Sequence, residues 1–175
     1  MTEEQVVLVN EQNEFLGLMP KMEAHIKGVL HRAISVLIYN SNGEMLIQQR
    51  SSTKYHWPLI WCNACCSHPR LDEEFKIAAE RRIYEELGIK IPLKEKFHFI
   101  YKAQDSVTQL IEHEYDVVFE GIYDGDVPFN TSEVASIKWV QPIDLETDIK
   151  LNPDKYSFWF KEILNRLRIE EEAVK

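Results

Sequence analysis

The sequence predicts a single domain of the α+β class. Two observations support this class: several short segments have the alternating or continuous apolar residues of strands, and two longer segments have the apolar spacing of helices. The 175 residues, 45% of them hydrophobic, are enough for one substantial core and too few for two. We therefore expect residues 1–175 to form one domain.

The first 50 residues predict two hairpins. Residues 6–9 and 15–18 are apolar runs separated by a polar turn, which predicts a small N-terminal hairpin. Residues 31–39 predict a strand. Asn42-Gly43 ahead of residues 44–49 predicts the second hairpin, because this dipeptide is typical of two-residue hairpin loops.

Two helices are predicted in the first half of the chain. Residues 20–27 predict one or two turns with a proline at the first helical position, so that Lys21 and His25 share a face. A longer helix begins after Asp72, which we expect to be its N-cap with acids in the first turn, and ends at Gly88.

Residues 62–68 predict one continuous strand. Strand alternation directs two sets of side chains to opposite faces: Cys62, Ala64, Cys66 and His68 to one, and Asn63, Cys65 and Ser67 to the other. Cys66 and His68 therefore share a face. The Cys62-x-x-Cys65 spacing could belong to a zinc knuckle or a redox pair, but a second such motif is missing and the two thiols face apart. Small buried hydrophobic side chains are the favoured interpretation of Cys62 and Cys65.

The second half predicts three strands and two helices. The strands cover residues 96–101, 110–123 and 134–140, and the helices cover residues 144–150 and 153–172.

Three acids alternate along the predicted strand 110–123, at Glu112, Glu114 and Asp116. Such a row is usually the solvated face of an edge strand, and the residues alone favour that interpretation.

Composition excludes several classes of partner. The formal charge of −9 and the pI of about 5.2 argue against nucleic acid or an anionic membrane, since either would favour a basic face. No apolar run approaches the roughly 20 residues of a membrane span, and the acidic first residues lack the features of a signal peptide. We expect a cytoplasmic protein whose three clustered cysteines are reduced.

A motif in the longer helix resembles that of a known superfamily. From Glu73, seven residues separate the acid from Arg81-Arg82-Ile83-Tyr84-Glu85-Glu86-Leu87-Gly88. This pattern resembles the Nudix box, in which helix glutamates hold magnesium. Ser67 replaces the first glycine of the box and Arg82 replaces a metal-site glutamate, so a cation suited to a diphosphate lies on the metal face.

Four further motifs narrow the resemblance. They lie in residues 21–33, 49–58, 63–69 (Asn-Ala-Cys-Cys-Ser-His-Pro) and 112–114 (Glu-His-Glu). Together with the helix they resemble the type 1 isopentenyl-diphosphate isomerases over about residues 4–165. The resemblance implies an α/β/α sandwich with the Nudix fold, in which helices flank a mixed central sheet and an N-terminal hairpin is added.

The resemblance also implies an activity, a metal centre and a catalytic pair. Members interconvert isopentenyl and dimethylallyl diphosphate without flavin, by adding a proton to one carbon and removing one from another. The implied metal ligands are His25, His31, His68, Glu112 and Glu114. This nitrogen and oxygen set suits manganese or zinc. The implied proton-transfer groups are Cys66 and Glu114, with Tyr101 assisting Glu114.

The implied substrate contacts lie at two ends. Lys21, Arg50, Lys54 and Arg82 match the diphosphate contacts, and Trp159 matches the aromatic residue beside the carbocation. Magnesium accompanying the diphosphate is implied at Glu86 and at the backbone carbonyl of Cys66. The family often has glycine where this chain has Leu59, so the loop before the cysteine strand is expected to differ.

Two alternatives remain open. A Nudix hydrolase of a nucleoside or prenyl diphosphate would share the fold, and a non-catalytic diphosphate-binding module would leave Cys66, Tyr101 and Glu114 without a role. The expected partner is a small prenyl diphosphate, and we expect a monomer or weak homodimer.

Overall fold

One mixed sheet runs through residues 3–174, the part of the chain that the computed structural model describes. Its nine strands, in chain order, are β1 Gln5–Val9, β2 Phe15–Pro20, β3 His31–Tyr39, β4 Met45–Arg50, β5 Trp61–Asn63, β6 Cys65–Ser67, β7 Lys94–Gln104, β8 Ile111–Ile122 and β9 Val134–Val140. The helices are α1 Lys21–Lys27, α2 Phe75–Leu87, α3 Pro142–Leu151 and α4 Phe158–Ala173, with a 3₁₀ helix at Pro153–Lys155.

Strand β3 is the centre of the sheet. It pairs in parallel with β8 from His31 opposite Glu114 to Tyr39 opposite Ile122, and antiparallel with β1 and β6. β1 pairs with β2 as the predicted N-terminal hairpin, and β4 pairs with β5 and β9. Because parallel and antiparallel pairs occur together, the expected mixed sheet is confirmed.

Helices cover both faces of this sheet. Ala78, Ala79 and Ile83 of α2 pack on the face that carries Ile34 and Val36. The opposite face, which carries Leu37 and Val118, packs against α3 and α4. The alternation along β3 separates these two cores, as expected for a strand that is buried on both sides. The α+β class is confirmed.

The sheet opens between β3 and β4, and the cysteine segment fills the gap. Within residues 3–174 the two strands pair directly at Tyr39 and Met45 alone. β5 continues the sheet from β4, and the chain then steps across so that β6 pairs with β3. The predicted continuous strand 62–68 is therefore wrong, because it breaks at Ala64.

The break changes which side chains share a face. Ala64 and Cys65 both pack towards α2, whereas Cys62 and Cys66 both contact the core beneath α4. The prediction that Cys62 and Cys65 face apart is confirmed, and the prediction that Ala64 lies on the Cys66 face is wrong. One step in the backbone rotated the residues beyond it.

The helix boundaries differ from the sequence prediction at their first turns. α2 begins at Phe75 with Glu74 as N-cap, and Asp72 instead occupies a turn with a φ of +59°. The predicted Asp72 cap and acidic first turn are wrong, whereas the end at Gly88 is confirmed, with a φ of +70°. At α1, Pro20 is the N-cap and not the first helical residue.

The C-terminal helix is also shorter than predicted. Residues 153–155 form the 3₁₀ helix, and α4 begins afresh at Phe158 because the Ser157 side chain caps it by accepting the Phe160 N–H at 3.4 Å. None of the helices within residues 3–174 combines the length and apolar character that a bilayer crossing needs.

Leu59, in the loop between β4 and β5, has a left-handed backbone conformation. Its φ is +60° and half of its surface is exposed, so its side chain gains little by packing. An L residue with a side chain loses roughly 1–2 kcal/mol in this conformation. Glycine, which the family resemblance leads us to expect here, adopts it without that cost.

We predict that Leu59→Gly raises the free energy of unfolding by about 0.5–1 kcal/mol, because relief of the left-handed strain exceeds the extra chain entropy of glycine. Urea denaturation measures the change. Leu59→Ala is the matched control, since alanine keeps the Cβ and the strain. A glycine variant no more stable than the alanine variant would contradict the strain at this position.

Candidate active site and metal centre

The row of acids on β8 is buried. β8 lies between β3 and β7, and Glu112, Glu114 and Asp116 are 5%, 7% and 0% exposed. The interpretation of this row as the solvated face of an edge strand is therefore wrong. Carboxylates are almost never buried to this degree unless they are paired or bind a cation.

Three histidines meet two of these acids. One donor atom from each of five buried residues lies within 4.8 Å of all the others: His25, His31, His68, Glu112 and Glu114. The residues come from α1, the start of β3, the segment after β6, and β8. The parallel register places His31 directly opposite Glu114, which explains how distant segments reach one point.

Four atoms of the cluster have no hydrogen-bond partner among the described residues. Within residues 3–174, His25 Nε2, His31 Nε2, His68 Nδ1 and Glu112 Oε2 are buried and have no hydrogen-bond partner. His31 Nδ1 lies 2.8 Å from the Val29 carbonyl oxygen, so the neutral ring holds its proton there and presents the lone pair of Nε2. Unsatisfied buried imidazole and carboxylate atoms fit a divalent transition metal.

The pKa values of His25 and His68 favour the neutral imidazole that binds a metal. Burial lowers the pKa of His25 to about 3 and also lowers that of His68, so both imidazoles are neutral and can act as ligands. Burial acts against charge at His31 as well, but the Glu114 carboxylate, whose Oε1 lies 3.6 Å from His31 Nε2, raises the pKa on balance. The pKa of Glu114 falls to about 2, because hydrogen bonds and the charge of His31 outweigh its burial.

Two neighbours of the cluster were missed from the sequence. Tyr55 Oη lies 2.8 Å from His25 Nδ1, and His56 Nε2 contacts Glu112 Oε1. Both come from the loop between β4 and β5, whose polar character suggested ligand contacts without indicating these two residues. Such outer partners fix the orientation of a ligating ring or carboxylate.

The thiol of Cys66 lies between a donor and an acceptor. Trp159 Nε1 donates to Cys66 Sγ at 3.0 Å, and the thiol donates to Asn63 Oδ1 at 3.0 Å. Burial raises the pKa of Cys66 well above its usual value, so the resting group is a thiol. Asn63, itself fully buried, was not selected from the sequence.

Tyr101 hydrogen-bonds one carboxylate oxygen of Glu114. Its phenol donates to Glu114 Oε2 at 2.7 Å, and burial raises the pKa of Tyr101, so this proton stays on the phenol. Tyr101, Glu114 and Cys66 all line one cavity of about 950 Å³. A thiol and a proton-bearing carboxylate–phenol pair therefore face the same space.

The predicted diphosphate contacts line the same cavity: Lys21, Arg50, Lys54 and Arg82. Arg50 donates to the carbonyl oxygens of His56 and Trp57 at 3.1 Å and lies 5.7 Å from the centre of the Trp159 ring. Lys21 Nζ lies 3.0 Å from Glu4 Oε2. Local cations of this kind are what an acidic protein requires to hold an anion.

The α2 carboxylates are engaged by arginines. Arg82 contacts Glu86 at 2.5 Å and Glu85 at 2.6 Å, and Gln48 Nε2 donates to the second oxygen of Glu86 at 3.0 Å. Arg81 makes a bidentate pair with Glu73, at 2.7 and 2.9 Å. These contacts assign Glu73 to the packing of the helix, and they leave Glu86 as the α2 acid that faces the cavity.

The comparisons with known proteins agree with this geometry. The family model described as NUDIX domain matches residues 29–160. Isopentenyl-diphosphate Delta-isomerase 1 of Aromatoleum aromaticum is 45% identical over 165 residues, which cover 94% of this chain and 93% of that protein. The chain belongs to this family of NUDIX-domain proteins.

Two further similarities support the assignment. Isopentenyl-diphosphate Delta-isomerase of Nocardia farcinica is 40% identical, with 91% of each chain covered. Among solved structures, DR0079 from Deinococcus radiodurans has a TM-score of 0.71 at 21% identity and covers 85% of this chain and 90% of its own. At that identity the structural match shows the fold alone.

We predict that the purified protein binds one equivalent of manganese or zinc, and that His68→Ala weakens this binding by more than about 100-fold, since losing an outer partner alone costs about 10–100-fold. Dialysis followed by metal titration measures both. His113→Ala is the matched control, because His113 lies between the two glutamates on β8 but hydrogen-bonds the Gly28 carbonyl oxygen instead. Equal losses in the two variants would contradict a metal centre at this cluster.

Proposed function

We propose that the chain interconverts isopentenyl diphosphate and dimethylallyl diphosphate. The observation that carries the proposal is the cavity in which Cys66, Tyr101 and Glu114 lie beside four cations. Moving a double bond requires one group that gives a proton and another that removes one, and both must reach the hydrocarbon end. The similarity to isopentenyl-diphosphate Delta-isomerases supports this choice of substrate.

Glu114 and Tyr101 form the proton-giving side in this proposal. The low pKa of Glu114 means that the carboxylate itself is ionised, while the Tyr101 phenol keeps its proton 2.7 Å away. The proton therefore starts on Tyr101 and reaches the alkene through Glu114. Cys66 removes the proton on the other side of the reaction as a thiolate. Its own proton first passes to the Asp116 carboxylate through Ser35 Oγ, which lies 3.8 Å from Cys66 Sγ and 2.7 Å from Asp116 Oδ2.

His25, His31, His68, Glu112 and Glu114 would hold manganese or zinc, which supplies a fixed positive charge beside Glu114. In this proposal the other four residues of the cluster fix the position of the Glu114 carboxylate against Tyr101. Glu86 would hold magnesium brought in with the diphosphate, since its carboxylate lines the cavity and keeps further lone pairs.

Lys21, Arg50, Lys54 and Arg82 are proposed to hold the diphosphate, and Trp159 to line the hydrocarbon end. The proposed active form is a monomer or weak homodimer. All three cysteines are free, and a reduced thiol at Cys66 supports a cytoplasmic location.

The arginines of α2 argue against a hydrolase. A Nudix hydrolase would use the helix carboxylates for its magnesium, but here Glu73 pairs with Arg81 and Glu85 pairs with both Arg81 and Arg82. A non-catalytic diphosphate-binding module would need neither the half-buried thiol of Cys66 nor the phenol beside Glu114. The isomerase accounts for all three groups.

We predict isomer without phosphate release when the protein is incubated with isopentenyl diphosphate and magnesium. Cys66→Ala should lower the rate by at least about 10²–10⁴-fold, the usual contribution of one proton-transfer group. Chromatographic separation of the two isomers measures the rate, and a phosphate assay measures any release of phosphate. Cys65→Ala is the matched control, since this neighbouring thiol packs towards α2. Phosphate release, or near-normal turnover by Cys66→Ala, would contradict the proposal.

A second prediction separates the two contributions of Trp159. Its ring lines the cavity, and its N–H donates to Cys66. Trp159→Phe keeps an aromatic face and should lose about tenfold in kcat, the order expected for one hydrogen bond to the sulfur. Trp159→Leu also removes the face and should lose about a further tenfold, in line with a cation–π contact. Equal kcat values for the two variants would contradict a role for the ring face.

A further inference from the structure

Glu133 lies where the cavity should be most positive. It lines the cavity on the segment before β9, and its carboxylate contacts Lys54 Nζ. The same oxygen lies 3.5 Å from Arg82 Nη2. Two of the four cations proposed to hold the diphosphate are therefore already paired with a carboxylate of the chain itself. No motif in the sequence pointed to this residue.

The backbone fixes Glu133 at this position. Ser51 N donates to the Glu133 carbonyl oxygen at 3.1 Å, and Glu133 N donates to the Asn130 carbonyl oxygen at 3.0 Å. Asn130 N donates in turn to the Glu86 carbonyl oxygen at 2.8 Å. The segment thus links the loop that carries Lys54 to the end of α2, so the carboxylate can swing aside but cannot leave the cavity mouth.

The contacts of Glu133 are those that a phosphate oxygen would make. Lys54 and Arg82 offer charge-assisted N–H donors, and carboxylate and phosphate oxygens compete for such donors. Burial acts to raise the pKa of Glu133, but the hydrogen bond and charge of Lys54 lower it on balance, so the group is anionic. Its side chain is 29% exposed, which leaves it room to move.

We propose that Glu133 is an internal counter-anion that competes with the substrate diphosphate for Lys54 and Arg82. This inference rests on the proposed function, because it takes the diphosphate to bind at these cations. Binding exchanges one anionic partner for another, and the remaining repulsion between Glu133 and the diphosphate weakens retention of the product. Glu133 therefore lowers the affinity of the site for a diphosphate and prevents the cations from holding it too tightly.

The test measures the Kd of inorganic pyrophosphate, in the presence of magnesium, for the metal-loaded protein by titration calorimetry. Glu133→Gln should lower the Kd of pyrophosphate by about tenfold, since it removes a charged competitor and one repulsion. Glu85→Gln is the matched control: Glu85 also contacts Arg82, at 2.6 Å, but it does not belong to the cavity lining. Its effect on the Kd should be less than about twofold, as expected for an exposed ion pair.

A double variant locates the competition. In a Lys54→Met background, the gain from Glu133→Gln should fall to about threefold or less, because the principal contested donor is gone. Weaker binding by Glu133→Gln would instead make Glu133 a magnesium ligand and overturn the proposal. An unchanged Kd, a gain equal to that of Glu85→Gln, or a full gain in the Lys54→Met background would also overturn it.

The outcome is independent of turnover. Pyrophosphate carries no double bond, so its Kd reports the cation site alone. If the chain fails to isomerise isopentenyl diphosphate while the Glu133→Gln effect is present, the proposed function is wrong and the counter-anion stands. If the chain isomerises isopentenyl diphosphate and the Glu133→Gln effect is missing, the proposed function stands and the counter-anion proposal is wrong.

Discussion

The burial of three imidazoles and two carboxylates where α1, β3, β8 and the segment after β6 meet is the constraint on which the rest of the structure depends. Unpaired imidazole and carboxylate atoms in a sheet interior are costly unless a cation binds them. The parallel pairing of β3 with β8 brings His31 opposite Glu114. A cation at that point would fix Glu114 against Tyr101. The proposed proton-giving pair would then follow from the binding of a cation to the buried polar atoms.

The gap between β3 and β4 connects the two faces of the sheet. β5 and β6 cross it, so that Cys66 lies on the α4 face while its neighbour Cys65 packs against α2. Gln48 bridges the same gap, donating to the Ala64 carbonyl oxygen at 2.6 Å and to Glu86 at 3.0 Å. Helix α2 lies on one face of the sheet and contributes its arginines and Glu86 to the cavity. The thiol of Cys66, in the same cavity, lies on the other face.

Sequence patterns predicted the elements better than their junctions. Strands such as β3 and β8 follow directly from apolar runs, and Gly88 ended α2 as a left-handed cap should. The step at Ala64 was missed because it depends on the separation of β3 and β4, which local alternation cannot reveal. Alternation alone favoured solvent for Glu112 and Glu114 for a similar reason, since neighbours on both sides of β8 decide their burial, whereas the family resemblance placed both among the metal ligands. Tyr55, His56 and Glu133 act through contacts with distant segments, and their local sequence carries no signal for them. Asn63 reaches Cys66, three residues away, because of the break at Ala64.

The central claim is that two separate groups in one cavity give and remove the proton. Isopentenyl diphosphate carrying deuterium at both hydrogens of C2, converted in light water, tests it most directly. The account predicts dimethylallyl diphosphate with one deuterium left at C2 and a solvent hydrogen in the new methyl group. Transfer of deuterium from C2 into that methyl group would mean that a single group does both, and would contradict the account.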